Sequence, residues 1–373
     1  MYWICALILF VVLASYTIYI KGDWRFVILP VLAGILLSVL LISIDYLAKT
    51  TDVEVWSGRV VGWEHNEEWD EWHPPVTTCL TNSKGNQACS TNPGYYEHHY
   101  AENYLETTDN GKFRVNRAPD GTKFTDKHPN TTEELKQYWP PGTPSASTHT
   151  YKNKVQASYS IYKHENIDVK QYPDLPDYPK DVWGYIHIDR ILGDVPNKEE
   201  ALKLLAEKNS EMNKFIPNPE KEGKMKSWKE VNLIFVNVGQ NKSIDYGYAL
   251  QDKWEGGNKN DFVVSFSLDE NNNVIWVYPF SWSEVEILKI EVRDWLLDQK
   301  QITDFVPIVE KVSEIVAEQF ERRQFADFNY LQVEVSNWVN IVLVIIHIII
   351  AIAAIVIQHS YLQDQRRIHG YRY

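Results

Sequence analysis

Three stretches of this 373-residue sequence hold no lysine, arginine, aspartate or glutamate: Met1 to Ile20, Phe26 to Ile44 and Val339 to Ile357. Lipid offers the backbone no hydrogen-bond partners, so a helix of about 20 uncharged, apolar residues is the form that crosses it. His347 is the only readily ionisable group inside these runs. Too few charged groups line the runs for a transport pathway of the usual kind. An oligomeric pore lined by Ser15, Thr17 and Ser43 is the remaining transport reading, against helix packing by the same small residues. The N-terminus lacks a basic residue, and a second apolar run follows the first after five residues, which argues for a retained helical hairpin over a cleaved signal peptide.

Cysteine is scarce, at three residues, and no Cys-x-x-Cys or His-Glu-x-x-His spacing occurs. Those absences exclude the commonest zinc and metalloprotease signatures. The net charge of −13 comes without clustered Lys and Arg, against nucleic acid or anionic lipid as the main partner. There is no internal repeat and no low-complexity tract. Proline and glycine are missing from Ile308 through Ile357, so one helix is expected to run through a connector at residues 324–338 into the last span.

The basic residues that are present set an orientation. Lys21 and Arg25 lie in the hairpin loop, and Arg366, Arg367 and Arg372 follow the last run. Both groups fall on one side when residues 45–338 lie on the other. The expected protein is multi-pass in the cytoplasmic (inner) membrane, with a basic cytoplasmic tail at residues 358–373 and the large polar region extracytoplasmic. On that oxidising side Cys79 and Cys89, flanking an Asn/Ser/Gly turn, are expected to form a disulfide. Zinc held with His65 or His73, and free thiols, are the competing readings. Cys5 is expected to be an apolar filler in the first span.

Composition divides the polar region near residue 192. Residues 51–192 alternate as half-buried strands do, for example over Val53–Val61, Lys112–Val115 and Lys154–Tyr162, with Pro, Gly and Asn turns between. Gln171–Lys180, with three prolines, is the expected linker out of this β-rich module. The module also concentrates His, acid and aromatic residues between Trp63 and His73 and between Tyr95 and Tyr100. A metal site built from His65, His73, Glu97 and His99 is one reading, a Trp-rich face for a partner or carbohydrate a second, and plain aromatic packing a third. Strand alternation lets Glu97 and His99 share a face while separating His98 from His99.

From about residue 195 the pattern is α/β. Helices are expected at Lys198–Lys214, Asp245–Trp254, Trp282–Asp298 and Thr303–Arg323, and strands at Val231–Val238, Asp261–Leu268 and Val274–Tyr278. The run Ala249-Leu-Gln-Asp-Lys-Trp254, then Gly256-Gly-Asn-Lys-Asn-Asp-Phe-Val-Val264, an acidic turn at Asp269 and a further strand resembles the TPM domain family over residues 195–323. The resemblance implies a Rossmann-like α/β/α sandwich outside the cytoplasmic membrane, tethered by a neighbouring span, in a bacterium or a phage infecting one. It implies either a divalent-metal-dependent phosphatase or a factor that assembles membrane complexes. Asp261 and Asp269 are the candidate catalytic carboxylates and, with Glu284, the candidate metal ligands, with Ca²⁺ or Mg²⁺ as the ion. The sequence departs from the family where Asn260-Asp261-Phe262 replaces Asp-Asn-Gly and where Tyr278-Pro-Phe-Ser-Trp282 replaces a Gly-x-Gly stretch.

With that constellation incomplete, the leading expectation is an α+β membrane protein acting as a scaffold or assembly factor and requiring no cofactor. Its expected partner is a membrane or envelope protein or a further copy of the chain. The phosphatase and the channel or transporter subunit stand as alternatives.

Overall fold

The computed structural model describes residues 2–81, 87–125, 129–157, 163–219, 221–323 and 333–370. The fold is α+β, with three helices long and apolar enough to cross a membrane and a β-rich body. The chain forms two compact units, one of residues 1–52, 152–162 and 325–373, the other of residues 53–151 and 163–324. Both composition-defined halves of the polar region fall mainly in the second.

In the first unit α1 (Tyr2–Ile20), α2 (Arg25–Thr50) and α9 (Asn337–Gly370) pack against one another. Leu9, Leu13, Ala14, Val27 and Ala354 form the shared core, with Cys5 buried in α1. Gly34 lets helices approach: a Cβ there would lie 3.1 Å from His347 Nε2 and 3.2 Å from Leu9 Cδ2. Buried Thr17 donates to Gln358 Oε1 at 3.1 Å, while Ser15 and Ser43 face outward. Asp45 accepts from Ser336 N and Oγ just before α9 begins, at 3.0 and 2.6 Å.

Two expectations change in and around this unit. Lys154–Tyr162 is not a strand over its described part: Lys154–Ala157 is a short helix, α4, and residues 158–162 lie outside the described residues. Asn153 diverts the chain, its N–H donating to Thr50 O at 2.7 Å and its side chain to Asp52 at 3.0 Å. The uninterrupted helix from Ile308 is also absent. The helix α8 (Val306–Gln319) ends at Phe320, whose extended backbone (ψ 126°) carries its side chain into the core, and residues 333–336 are not helical. The rest of the expected connector, residues 324–332, lies outside the described residues, as do residues 371–373 with Arg372.

In the second unit, an antiparallel sheet joins β1 (Thr51–Asn66), β6 (Glu102–Thr107), β7 (Gly111–Val115) and β8 (Pro144–Lys152) in the order β7-β6-β1-β8. Val60, Leu105 and Val115 bury against Leu135 and Trp139, contributed by and just after the helix α3 (Thr132–Tyr138). Beyond Asn66 and Glu102 the β1–β6 pairing continues as an arm. First come β2 (Trp69–His73) and β5 (Tyr95–His99), then β3 (Val76–Thr81) and β4 (Gln87–Asn92). Pro74-Pro75 and Pro93-Gly94 interrupt the ladder, as residues lacking an N–H or a side chain do. A Cβ on Gly94 would sit 2.5 Å from the Trp72 ring, so only glycine lets that indole cover the turn. Cys79 and Cys89 are directly paired and disulfide-bonded, so neither offers zinc a thiol.

The α/β half is built on β9 (Ile191–Leu192), β12 (Asn232–Gln240), β13 (Asp261–Leu268) and β14 (Val274–Ser281), in the order β14-β13-β12-β9. Strands β9, β12 and β13 are parallel and β14 antiparallel. The central strands are near-continuous apolar runs because both faces are covered. Leu233, Phe235, Phe262, Val264 and Phe266 point to one core beneath α5 (Lys198–Met212), α7 (Glu286–Asp298) and α8. Ile234, Val236 and Val263 point to the other, beneath α6 (Asp245–Lys253). The tenth and eleventh strands, Phe215–Pro217 and Met225–Ser227, form a small separate ribbon.

Two further expectations are adjusted here. Gln171–Lys180 is no free linker: Leu175 is buried against the α6 face, and Trp254 Nε1 donates to Pro176 O at 3.0 Å. Residues 282–285 are not helical, because Ser283 bonds back to Ser281 Oγ and bridges to Arg322.

Candidate functional site

The carboxylates expected from the sequence do not converge. Asp261 is the first residue of β13 and Asp269 follows its last. At about 3.3 Å per residue, eight steps of strand separate them by about 26 Å, too far for one metal ion. Glu284 lies beyond β14, at the Asp261 end, but is exposed, its N–H donating to Glu321 O at 3.0 Å.

Asp269 is a turn cap. Its carboxylate accepts from Asn273 Nδ2 at 2.7 Å and from the N–H groups of Asn271 and Asn273 at 2.8 Å each. The Asn273 contacts hold it below the ordinary carboxylate range. The surrounding turn supplies all of these bonds.

Asp261 is wholly buried. Its Oδ1 accepts from Asn232 Nδ2 at 2.8 Å and Tyr178 Oη at 3.0 Å, and its Oδ2 from Asn258 N at 2.7 Å. Burial pushes its carboxyl up to about 7 despite those donors, and the Glu54 charge adds to the rise. Burial also pushes the Tyr178 hydroxyl well above its usual value, and lowers fully buried Arg190 to about 10.

A second buried group adjoins this one. Glu54, 1% exposed, accepts from Arg322 Nη2 at 2.6 Å and lies 3.9 Å from Lys259 Nζ, while Arg322 also pairs with Glu230. Asn260 Nδ2 donates to Val55 O at 2.8 Å and Tyr151 Oη to Asn258 Oδ1 at 2.8 Å. These bonds knit β1 and β8 to the loop before β13. A perturbed carboxyl in a cleft would suggest catalysis, but this one is buried away from solvent.

The arm presents the opposite situation: titratable groups gathered and exposed. Glu71 and Glu97 are directly paired across β2–β5. His73 Nε2 lies 2.9 Å from Glu97 Oε2 and 3.9 Å from Glu71 Oε2. His99 Nε2 is 3.1 Å from the same Glu71 oxygen. Stacking orients both imidazoles, His99 on Trp69 at 4.2 Å and His73 on Tyr95 at 4.8 Å between ring centres. On the reverse face His98 pairs with Asp70 at 2.8 Å and Trp72 contacts Tyr96.

Among the described residues, Glu71, His73 and Glu97 are the one group of three His, Cys, Asp or Glu residues whose ligand atoms all lie within 4.8 Å. The sequence-derived set is thus partly assembled. His73, Glu97 and His99 share a face, whereas His65 bonds Asn103 Oδ1 at 2.8 Å within the sheet. Glu71 was not among the expected ligands. The signal for it was the repeated Glu-x-His at Glu71/His73 and Glu97/His99, which strand alternation puts on one face.

Comparison with protein-family profiles, with curated proteins and with solved structures finds no match for this chain.

Proposed function

We propose that this protein is a membrane-anchored scaffold or assembly factor that offers its β-arm to a membrane or envelope protein. The observation that carries the reading is the arm itself. Trp69, Trp72, Tyr95, Tyr96 and Tyr100 are all exposed, Trp72 by 50% and Tyr96 by 70%. Tryptophan and tyrosine supply much of the binding energy at interfaces, because rigid rings bury large area at low entropic cost. An isolated two-stranded ribbon is only marginally stable, yet this one is stapled by a disulfide and covered in cross-strand ring pairs.

The membrane assignment is the cytoplasmic membrane, with residues 45–338 on the extracytoplasmic side. Lys21 and Arg25 at the α1–α2 turn and the basic tail support that orientation, and the Cys79–Cys89 disulfide fits an oxidising compartment. The α/β half is read as TPM-like on the succession β12, α6, β13, β14 between layers of helix.

The TPM resemblance keeps a divalent-metal-dependent phosphatase as the alternative, with buried Asp261, its carboxyl pushed up to about 7, as the residue it would use. Hydrolysis of a phosphate ester by the full chain in detergent, with Ca²⁺, Mg²⁺ or chelator, separates the two readings. Scaffold action predicts no metal-dependent turnover. Turnover abolished by Asp261→Ala, and retained by a folded control such as Asp269→Ala, would replace it with the enzyme.

A further inference from the structure

The pairing of Glu71 with Glu97 poses an electrostatic problem. Like charges directly opposite on one face of a ribbon are destabilising, and Glu67, Glu68 and Asp70 add negative charge nearby. A metal cation held between the two carboxylates would relieve that repulsion. The structure places His73 Nε2 there, within 2.9 and 3.9 Å of the two acids.

We propose that Glu71, His73 and Glu97 bind a divalent first-row transition ion, for which Zn²⁺ is the natural probe. Ligand atoms around tetrahedral zinc each lie about 2.0–2.2 Å from the metal, so they come within about 3.5 Å of one another. The present separations reach that with small rotations of exposed side chains. One imidazole with two carboxylates suits a borderline ion such as Zn²⁺ better than Ca²⁺ or Mg²⁺, which take oxygen donors in larger number.

His99 is a positioning residue here. Its Nε2 at 3.1 Å from Glu71 Oε2 holds that carboxylate as hydrogen-bonded partners hold metal ligands elsewhere, and the Trp69 ring fixes its plane. The ion would tie β2 to β5 midway between the β1–β6 sheet and the disulfide, giving the arm a second clip. This goes beyond the scaffold reading and does not depend on it.

The test uses the full chain in detergent, stripped with chelator, disulfide intact, titrated with ZnCl₂ by calorimetry and checked by metal analysis after dialysis. The expected result is saturable binding of about one Zn²⁺ per chain, not displaced by millimolar Ca²⁺ or Mg²⁺. His73→Ala and Glu97→Gln should each weaken it by at least about tenfold, and His99→Ala by about tenfold with stoichiometry kept. His98→Ala, on the opposite face, should bind as the unsubstituted chain does. Absence of saturable binding, or an affinity unchanged from the unsubstituted chain in His73→Ala and Glu97→Gln, would overturn the proposal and leave His73 and His99 as simple partners of the two acids.

Discussion

Asp261 and Asp269 bound the same strand from opposite ends, one sealed beneath Tyr178 and Asn232, the other capping an exposed turn. Closeness in sequence makes them look like one site. The extended backbone between them puts them at opposite ends of the strand, and exposed titratable groups gather on the β-arm instead.

The first prediction concerns pH. The Asp261 carboxyl sits at about 7 in the folded chain against 3.8 for the free group. A raised carboxyl contributes stability that is complete below the lower value and lost as pH rises through the higher. Between pH 4 and 7 that loss is on the order of a few kcal/mol. Chemical unfolding of the β-rich body should therefore show falling stability across this window. Asp261→Asn should flatten that slope, while weakening the fold at all pH values because an amide N–H₂ then meets the Asn258 N–H. An unchanged slope would show that Asp261 does not carry the effect.

Arg322→Ala should be among the most damaging surface-proximal substitutions. It leaves Glu54, 1% exposed, with Lys259 at 3.9 Å as its remaining cationic partner among the described residues. Breaking a buried pair from one side costs about 3–5 kcal/mol. Replacing both partners, as Glu54→Gln with Arg322→Met, should recover a large part of that loss in the same unfolding measurement.

Removing the disulfide should act locally. Cys79→Ser with Cys89→Ser opens a short loop whose closure is worth up to about 3 kcal/mol, but the arm shares little core with the α/β sheet. Hydrogen exchange should rise at amides of residues 69–81 and 87–99 and stay unchanged in β12 and β13. Faster exchange throughout both regions would mean that the arm is integral to the fold.

In the helical unit, Gly34→Leu should weaken packing. Its Cβ alone would meet His347 and Leu9 at 3.1–3.3 Å, and overpacking typically costs about 1–3 kcal/mol. Loss of heat-resistant helicity in detergent at lower temperature than the unsubstituted chain is the expected readout.

How much of this was legible in the sequence depends on what decided each element. The strand Asp261–Leu268 is readable to its ends, because a mainly apolar run, broken only by small Ser265 and Ser267 after its opening Asp261 and bounded by Asn260 and Asp269, suits a strand covered on both faces. The apolar helices were equally plain. Residues 282–285 and 320–323 were misread as helix because tertiary bonds, Ser283 with Glu321 and Arg322, override a breaker-free pattern. Lys154–Ala157 was misread as strand because alternation persists there while Asn153 turns the chain.

The site followed the same logic. Glu97 with His99 could be placed on one face from alternation alone, but Glu71 needed the register, which the Pro74-Pro75 and Pro93-Gly94 interruptions conceal. The sealing of Asp261 depends on Tyr178, 83 residues away in sequence, and no local pattern announces it.

The most direct measurement is photocrosslinking in native membranes from a reactive residue placed at Trp72 or Tyr96, with Ile287 on α7 as an exposed control. The account predicts a discrete adduct of defined mass from both arm positions, lost when the neighbouring arm aromatics are replaced by serine, and none from position 287. Equal, diffuse labelling from all three positions, or none from the arm while the Ile287 position captures a partner, would contradict it.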